Sequence, residues 1–204
     1  PREGFAANFF SLVGDTRIRG DYYAFCDQDD IWEAGKLRRA LAFLRCVPQA
    51  VPGLYCSRTR LVDEAGRGIG LSPLFGKPPS FRNALVQSIG GGNTMVYNQA
   101  ARDLLRVACT GANVVTHDWW AYLVVSGCGG RVHYDTWPSV RYRQHGSNLV
   151  GMNCTWRARA HRLRMLWQGR FRDWNSRNLR ALEAVRPWLT DENRAVLDAF
   201  TAHP

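Results

Sequence analysis

A short apolar run that ends in three carboxylates constrains this chain more than any other feature of its sequence. Residues 22–26, Tyr-Tyr-Ala-Phe-Cys, predict a buried strand. The run stops at Asp27-Gln28-Asp29-Asp30, and an amphipathic pattern then predicts a helix over 30–47 that Pro48 ends. Open α/β sheets bind ligands at the carboxyl ends of their strands. We therefore predict an α/β fold with its functional site at this turn.

The rest of the chain alternates between strand and helix patterns, which predicts a mixed α/β sheet. Glycine-containing turn residues after position 61 predict a hairpin, and on helix 30–47 we expect Leu37, Leu41 and Leu44 to lie on one face. The other predicted helices cover residues 4–13, 81–88, 99–108, 117–126 and two short stretches within 179–201, and the other predicted strands cover residues 54–61, 69–71, 94–97, 131–134 and 140–142.

The charge balance points to an anionic partner. The formal net charge is +10, so nucleotide-linked substrates, acidic lipids and nucleic acids all qualify as partners. No apolar run approaches the roughly 18 residues that a membrane-spanning helix needs. The six cysteines include no C-x-x-C pair, which favours reduced thiols in a cytoplasmic protein over a disulfide framework or a zinc site.

The last third of the chain is basic and aromatic. Between Trp156 and Arg180 there are eight arginines and one acid, Asp173, and the large apolar side chains fall in one helical arc of roughly 80°. The simplest interpretation is a packing helix with solvated arginines. A helix lying on an anionic membrane surface is the functional alternative. Nucleic-acid binding is less favoured, because no recognised motif is present.

Carboxylates at the end of a strand suit a divalent metal ion. Mg²⁺ and Mn²⁺ prefer oxygen ligands, usually one or two from protein with phosphate oxygens completing the shell. The acidic turn 27–30 supplies such ligands, and a cation would relieve the repulsion between its carboxylates. The alternative is that Asp29 and Asp30 only cap a helix, and spacing alone does not decide between the two.

Three further segments carry polar groups beside predicted elements. Gly90-Gly91-Gly92-Asn93 opens a strand and would let backbone approach a ligand closely. Asp118, in His117-Asp118-Trp119-Trp120, is either a helix N-terminal acid or a general base. The loop Tyr142-Arg143-Gln144-His145-Gly146-Ser147-Asn148 could supply a metal ligand and a phosphate contact, or it could be a solvated turn.

In combination these motifs resemble the family 2 glycosyltransferases of the GT-A fold, and the bacterial rhamnosyltransferase-like members in particular. The resemblance covers residues 4–151, and the acidic turn and the Arg/His loop are its most specific parts. It rests on Gly4 with Asn8-Phe9, on Phe25 to Trp32 with Lys36-Leu37, on His117-Asp118-Trp119-Trp120, and on Tyr142 to Asn148.

On the donor side, the resemblance implies a nucleotide sugar held through a divalent metal, Mg²⁺ or Mn²⁺. It places Asp27 and Asp29 at the metal and the sugar, with Asp30 supporting them on the donor side. His145 matches a position that can complete the metal shell, and Arg143 would face the diphosphate.

On the acceptor side, the resemblance implies an inverting displacement. Asp118 matches the general base that deprotonates the acceptor hydroxyl. The loop Gly91-Gly92-Asn93 would line the acceptor, and Trp119 would pack near sugar. The implied reaction transfers a sugar, rhamnose in the members most alike, from a dTDP- or UDP-sugar to a surface-polysaccharide or lipid-linked saccharide acceptor, at the inner face of the cytoplasmic membrane.

The resemblance also carries an expectation about domain organisation. Members of the family begin with a β-α-β unit that holds the nucleoside, whereas here a helix pattern starts at Gly4. We therefore expect residues 1–151 to be a partial GT-A (Rossmann-like) catalytic domain and residues 152–204 to be a basic helical extension. Weak donor binding by this chain alone is the corresponding prediction, and a non-catalytic sugar- or nucleotide-binding module is the alternative function.

Overall fold

The computed structural model describes residues 4–144 and 170–202. His145 and most of the Arg- and Trp-rich segment lie outside these ranges, as does the predicted boundary at 151/152. The elements are, in chain order, α1 (Phe5–Gly14), β1 (Tyr22–Ala24), β2 (Ile31–Trp32), α2 (Lys36–Leu44), β3 (Gly53–Val62), β4 (Gly68–Leu71), α3 (Phe81–Ala84), a 3-10 turn (Gly92–Thr94), β5 (Val96–Asn98), α4 (Gln99–Ala108), α5 (His117–Gly127), β6 (Arg131–Arg143), α6 (Arg170–Val185), a second 3-10 turn (Arg186–Trp188) and α7 (Asp191–Ala202).

One mixed sheet organises these elements, which confirms the predicted α/β class. The strand order is β1-β5-β3-β6-β2, with β4 paired to the far end of β3. The long central pair β3 and β6 is parallel, and the remaining pairs are antiparallel. The acidic turn between β1 and β2 therefore connects two opposite edges of the sheet.

The two faces of the sheet are covered by different helices. Leu54 and Cys56 of β3 belong to a large core cluster that includes buried residues of α4 and α5, whereas Tyr55 between them packs with Ala40 and Leu44 of α2. This alternation is the period-two pattern of a strand buried on both faces. The large cluster also contains apolar side chains of α6 and α7, so the described part of the C-terminal region shares this core.

The segment after the acidic turn differs from the prediction of a helix over 30–47. Ile31 and Trp32 form β2 and pair with Arg141 and Val140 of β6, and helix α2 begins only at Lys36. The side chains of Asp29 and Asp30 therefore do not cap this helix. The buried side chains of α2 are Lys36, Ala40 and Leu44, whereas Leu37 is 45% exposed.

Strand β6 replaces the two short strands predicted over 131–134 and 140–142. Its pairing with β3 shifts where Ser57 and Thr59 face Asp135 and Val140, so extra residues of β6 bulge out of the ladder. Pro138 lies in the bulge, a position at which sheets tolerate a residue without an N–H. The stretch between the two predicted strands is therefore a bulge within one strand.

Other predicted elements are confirmed with small changes at their ends. Helices α4 and α5 and the β3–β4 hairpin lie where the sequence placed them, and Pro187 separates α6 from α7. Strand β1 is shorter than predicted, helix α3 ends at Ala84 rather than at 88, and a 3-10 turn precedes β5. The five cysteines in the described ranges are unpaired, and none of the described helices is long and apolar enough to cross a membrane.

Candidate active site

The acidic turn is anchored by Phe25, a buried aromatic residue two positions before Asp27. Phe25 is 5% exposed and packs against Phe9 and His117, with ring centroids 5.5 and 4.8 Å apart. Burial and, after it, the nearby carboxylates of Asp30, Asp29 and Asp118 together raise the pKa of Asp27 to about 6. The turn and the start of α5 therefore bring four carboxylates into one site.

Asp30 joins the turn to two distant segments. Its carboxylate accepts hydrogen bonds from the side-chain amide of Asn93 and, at 3.2 Å, from the backbone N–H of Arg143. Burial raises the pKa of Asp30 even though both hydrogen bonds favour its ionised form. This carboxylate thus holds the β6 end and the loop before β5 against the acidic turn.

The guanidinium of Arg143 lies across the same turn. Its Nε donates to the backbone carbonyl of Asp29 at 3.2 Å, and Nη1 donates to the carbonyl of Glu64 at 2.5 Å. The side chain therefore bridges the acidic turn and the β3–β4 turn. Its predicted role toward a diphosphate remains a prediction.

The glycine loop contacts Asp118 directly. The backbone N–H of Gly92 donates to Asp118 Oδ2 at 3.2 Å, and Asp118 lies in the first turn of α5, whose N-cap is Thr116. A side chain at position 92 is excluded, because a Cβ there would lie 2.1 Å from Nε2 of His117. Only glycine therefore allows the loop to lie this close to α5.

His117 is a buried structural residue rather than an open imidazole. It is 6% exposed, stacks on Phe9 with ring centroids 3.9 Å apart, and neither ring nitrogen has a hydrogen-bond partner in the described part of the chain. Burial lowers its pKa, so the ring is neutral. The indole of the neighbouring Trp119 also lies in the core, where Nε1 donates to the carbonyl of Ala84 at 2.7 Å.

Lys36 is a residue of the site whose burial the sequence pattern did not predict. Its side chain is fully buried, Nζ donates to the carbonyl of Asn93 at 2.5 Å, and Nζ lies 3.5 Å from the centroid of the Trp32 ring. Burial lowers the pKa of Lys36 to about 8, while Asp30 and Asp27 act in the opposite direction. One feature of the sequence could have drawn attention to this residue: of the 27 Lys and Arg residues, only Lys36 and Lys77 are lysines.

The sequence of this chain is similar to that of dTDP-rhamnosyl transferase RfbG of Shigella flexneri. The two are 28% identical over an alignment that covers 78% of this chain and 56% of RfbG. This similarity confirms the predicted resemblance to bacterial rhamnosyltransferases, while membership of family 2 and the GT-A fold remain predictions. The chain spans about half the length of this curated relative, and no protein-family model matches the sequence.

The structure brings most of the predicted site residues together. Hydrogen bonds join Asp118, the loop 91–93, Asp30 and Arg143, and Asp27 lies near enough to Asp30, Asp29 and Asp118 for their charges to raise its pKa. The indole of Trp119 lies in the core, and its predicted contact with sugar remains a prediction. His145 lies outside the described residues, so its assignment as a metal ligand remains a prediction as well.

The chemistry of the acidic turn fits a divalent cation that is completed by a ligand. Within residues 4–144 and 170–202, no three Asp, Glu, His or Cys side chains form a ready-made metal site. Mg²⁺ is commonly held by only one or two carboxylates together with substrate phosphates. Burial and, after it, the neighbouring carboxylates raise the pKa of Asp27, and a cation would offset the negative charge of these carboxylates. Asp27 and Asp29 therefore fit this role.

Proposed function

We propose that this chain is the catalytic part of a family 2, GT-A glycosyltransferase. The enzyme moves a sugar, rhamnose in the first instance, from a dTDP- or UDP-sugar to a saccharide acceptor. The observation that carries the proposal is the convergence of Asp27, Asp29, Asp30 and Asp118 in one site. RfbG is named as a dTDP-rhamnosyl transferase, which supports both the reaction class and the donor.

The donor side of the site would bind a nucleoside diphosphate. Asp27 and Asp29 would hold Mg²⁺ or Mn²⁺, with His145 completing the shell. When bound, this ion would neutralise charge on the diphosphate. The backbone N–H of Arg143 donates a hydrogen bond to the Asp30 carboxylate at 3.2 Å. The Arg143 guanidinium would face the diphosphate and stabilise the negative charge of the leaving group.

The acceptor side would use Asp118 as the general base. Its carboxylate accepts a hydrogen bond from Gly92 N–H and lies in the first turn of α5, where the helix dipole favours a negative charge. It takes the proton of the acceptor hydroxyl as that oxygen bonds to the anomeric carbon. The bond from this carbon to the diphosphate oxygen breaks, and attack from the opposite face inverts the configuration. The loop 91–93 and Trp119 would contact the acceptor.

Product analysis tests this proposal. Because weak donor binding is predicted for this chain alone, the complete enzyme is incubated with dTDP-rhamnose or a UDP-sugar, a saccharide acceptor and Mn²⁺, and NMR follows the donor and the anomeric configuration of the product. We expect free nucleoside diphosphate and an inverted glycoside in equal amounts, both abolished by a chelator. Donor binding with no turnover would instead identify a non-catalytic sugar- or nucleotide-binding module.

The proposal extends to a lipid-linked acceptor at the cytoplasmic face of a membrane. The net charge of +10 and the arginines between Trp156 and Arg180 support it, because basic segments are attracted to anionic lipids. Co-sedimentation with anionic liposomes at low salt tests this part. We expect binding that is lost at high salt and with neutral lipid. No binding at low salt would contradict it.

A further inference from the structure

Lys36 joins α2 to the loop between α3 and β5. Its fully buried ammonium lies above the Trp32 ring and donates to the carbonyl of Asn93 at 2.5 Å. From these contacts we propose that Lys36 is a positioning residue that couples the donor-side carboxylates to Asp118 through the loop 91–93. This inference rests on the proposed function for the roles of those carboxylates, whereas the coupling itself is a property of the structure.

The loop 91–93 contacts Lys36, Asp30 and Asp118 through two consecutive residues. Asn93 contacts Lys36 through its carbonyl and Asp30 through its side-chain amide, and the preceding residue Gly92 donates its N–H to Asp118. Two of the four carboxylates of the proposed site, Asp30 and Asp118, are therefore contacted by two consecutive loop residues, and one of these residues also contacts the Lys36 ammonium. Displacement of the Asn93 carbonyl would move both contacts.

Internal hydrogen bonds make the loop a single unit. Thr94 N–H and Thr94 Oγ1 both donate to the carbonyl of Gly91, at 2.9 and 2.8 Å, and Met95 N–H donates to the carbonyl of Gly92 at 2.8 Å. Asn93 and Thr94 are 4% and 0% exposed. A packed, hydrogen-bonded turn moves as a body rather than bending locally, so loss of the Lys36 contact affects its whole length.

The choice of lysine is itself informative. The chain uses arginine at almost every cationic position, yet the fully buried cation at this point of the site is a lysine. A compact ammonium can face a single carbonyl and an aromatic ring at once, whereas a planar guanidinium carries five donors that need further acceptors. Lys36→Arg is therefore expected to fail as a replacement.

Amide hydrogen exchange tests the coupling in the Lys36→Met variant. We expect the amides of Gly92, Thr94 and Met95 to exchange at least about tenfold faster than in the wild type, because their loop has lost its anchor. In the transfer assay we expect kcat to fall about tenfold or more, with the donor KM changed less than threefold. Lys36→Arg should not restore kcat.

Lys77→Met is the matched control, because Lys77 is exposed and is the other lysine of the chain. It should change neither exchange nor turnover. Unchanged exchange at Gly92 in folded Lys36→Met would overturn the inference. Faster exchange in a protein whose wild type shows no turnover would support the coupling and reject the proposed function.

A second measurement needs no variant at position 36. Reductive methylation of the folded wild type should modify Lys77 at least about 100-fold faster than Lys36, because Lys36 is buried and hydrogen-bonded. Equal reactivity of the two lysines would overturn the inference. Slow methylation of Lys36 that becomes fast in denaturant would support it.

Discussion

At the scale of single residues, the site combines crowded negative charge with one buried positive charge. Asp27 has a raised pKa because it is partly buried beside other carboxylates, and Lys36 has a lowered pKa because it is fully buried. For both groups, burial in the protein disfavours the charged form relative to water. Unfavourable electrostatics that a ligand can relieve are common at functional sites, and they lead to measurable pH effects.

The first prediction concerns Asp27→Asn. The folded-state pKa of about 6 lies above the ordinary value of 3.8, so between these pH values the folded state binds more protons than the unfolded state. The contribution of Asp27 to stability is therefore present at pH 4 and is lost as the pH rises through 6. After allowance for solvent screening, Asp27→Asn should raise the free energy of unfolding at pH 7 by about 1 kcal/mol.

Urea denaturation of wild type and Asp27→Asn at pH 4 and pH 7 measures this effect. At pH 4 the two proteins should differ by much less than at pH 7. An equal difference at both pH values would show that the substitution acts through packing or hydrogen bonding rather than through charge.

The second prediction concerns Gly92→Ala. The added methyl group would overlap the imidazole of His117, which is buried and has no space to move. Overpacking of this kind should lower the free energy of unfolding by about 1–3 kcal/mol. Thermal denaturation measures the loss, and Gly76→Ala is the control, because a Cβ there meets open space. Equal melting temperatures for wild type and Gly92→Ala would contradict the close contact.

At the scale of elements, the position of Asp118 depends on how α5 begins. Thr116 is the N-cap, and its side-chain oxygen accepts a hydrogen bond from Trp119 N–H at 3.4 Å. This cap fixes the first turn of the helix, which carries Asp118. The sequence predicted the start of α5 correctly because its boundary is set by local chemistry.

The third prediction tests this cap. Thr116→Ala should lower the free energy of unfolding by about 1 kcal/mol. It should also increase exchange at the amide of Gly92, which donates to Asp118. Thr110→Ala is the control, because Thr110 is exposed just after α4 and caps no helix. A Thr116→Ala protein with wild-type stability and exchange would show that packing alone fixes the start of α5.

Elements whose conformation depends on contacts distant in sequence could not be predicted from local patterns. Ile31 and Trp32 read locally as the beginning of a helix, but they pair with residues of β6 about 110 positions later. The burial of Lys36 has the same origin, because α2 starts only after this strand ends. Local patterns therefore identified the acidic turn and its carboxylates, whereas the non-local pairing of β2 placed Lys36 in the site.

At the scale of the whole molecule, the site lies where segments from the two halves of the described sequence meet. The acidic turn comes from early in the chain, whereas the loop 91–93, the start of α5 and the end of β6 come from later. The segments that lie together here are those whose motifs the sequence analysis selected, because each motif follows or precedes a regular element. The hydrogen bonds of Asp30 with Asn93 and of Asp118 with Gly92 depend on the closed fold and could not be predicted.

The most direct test of the central claim is the effect of Asp118→Asn on transfer and on donor binding. A general base contributes about 10²–10⁴-fold to rate, so kcat should fall by at least about 100-fold while the Kd of the nucleotide sugar stays within about threefold. Asp103→Asn, on the exposed surface of α4, should behave as the wild type. Turnover of Asp118→Asn within threefold of the wild type would contradict the assignment of this site as the site of sugar transfer.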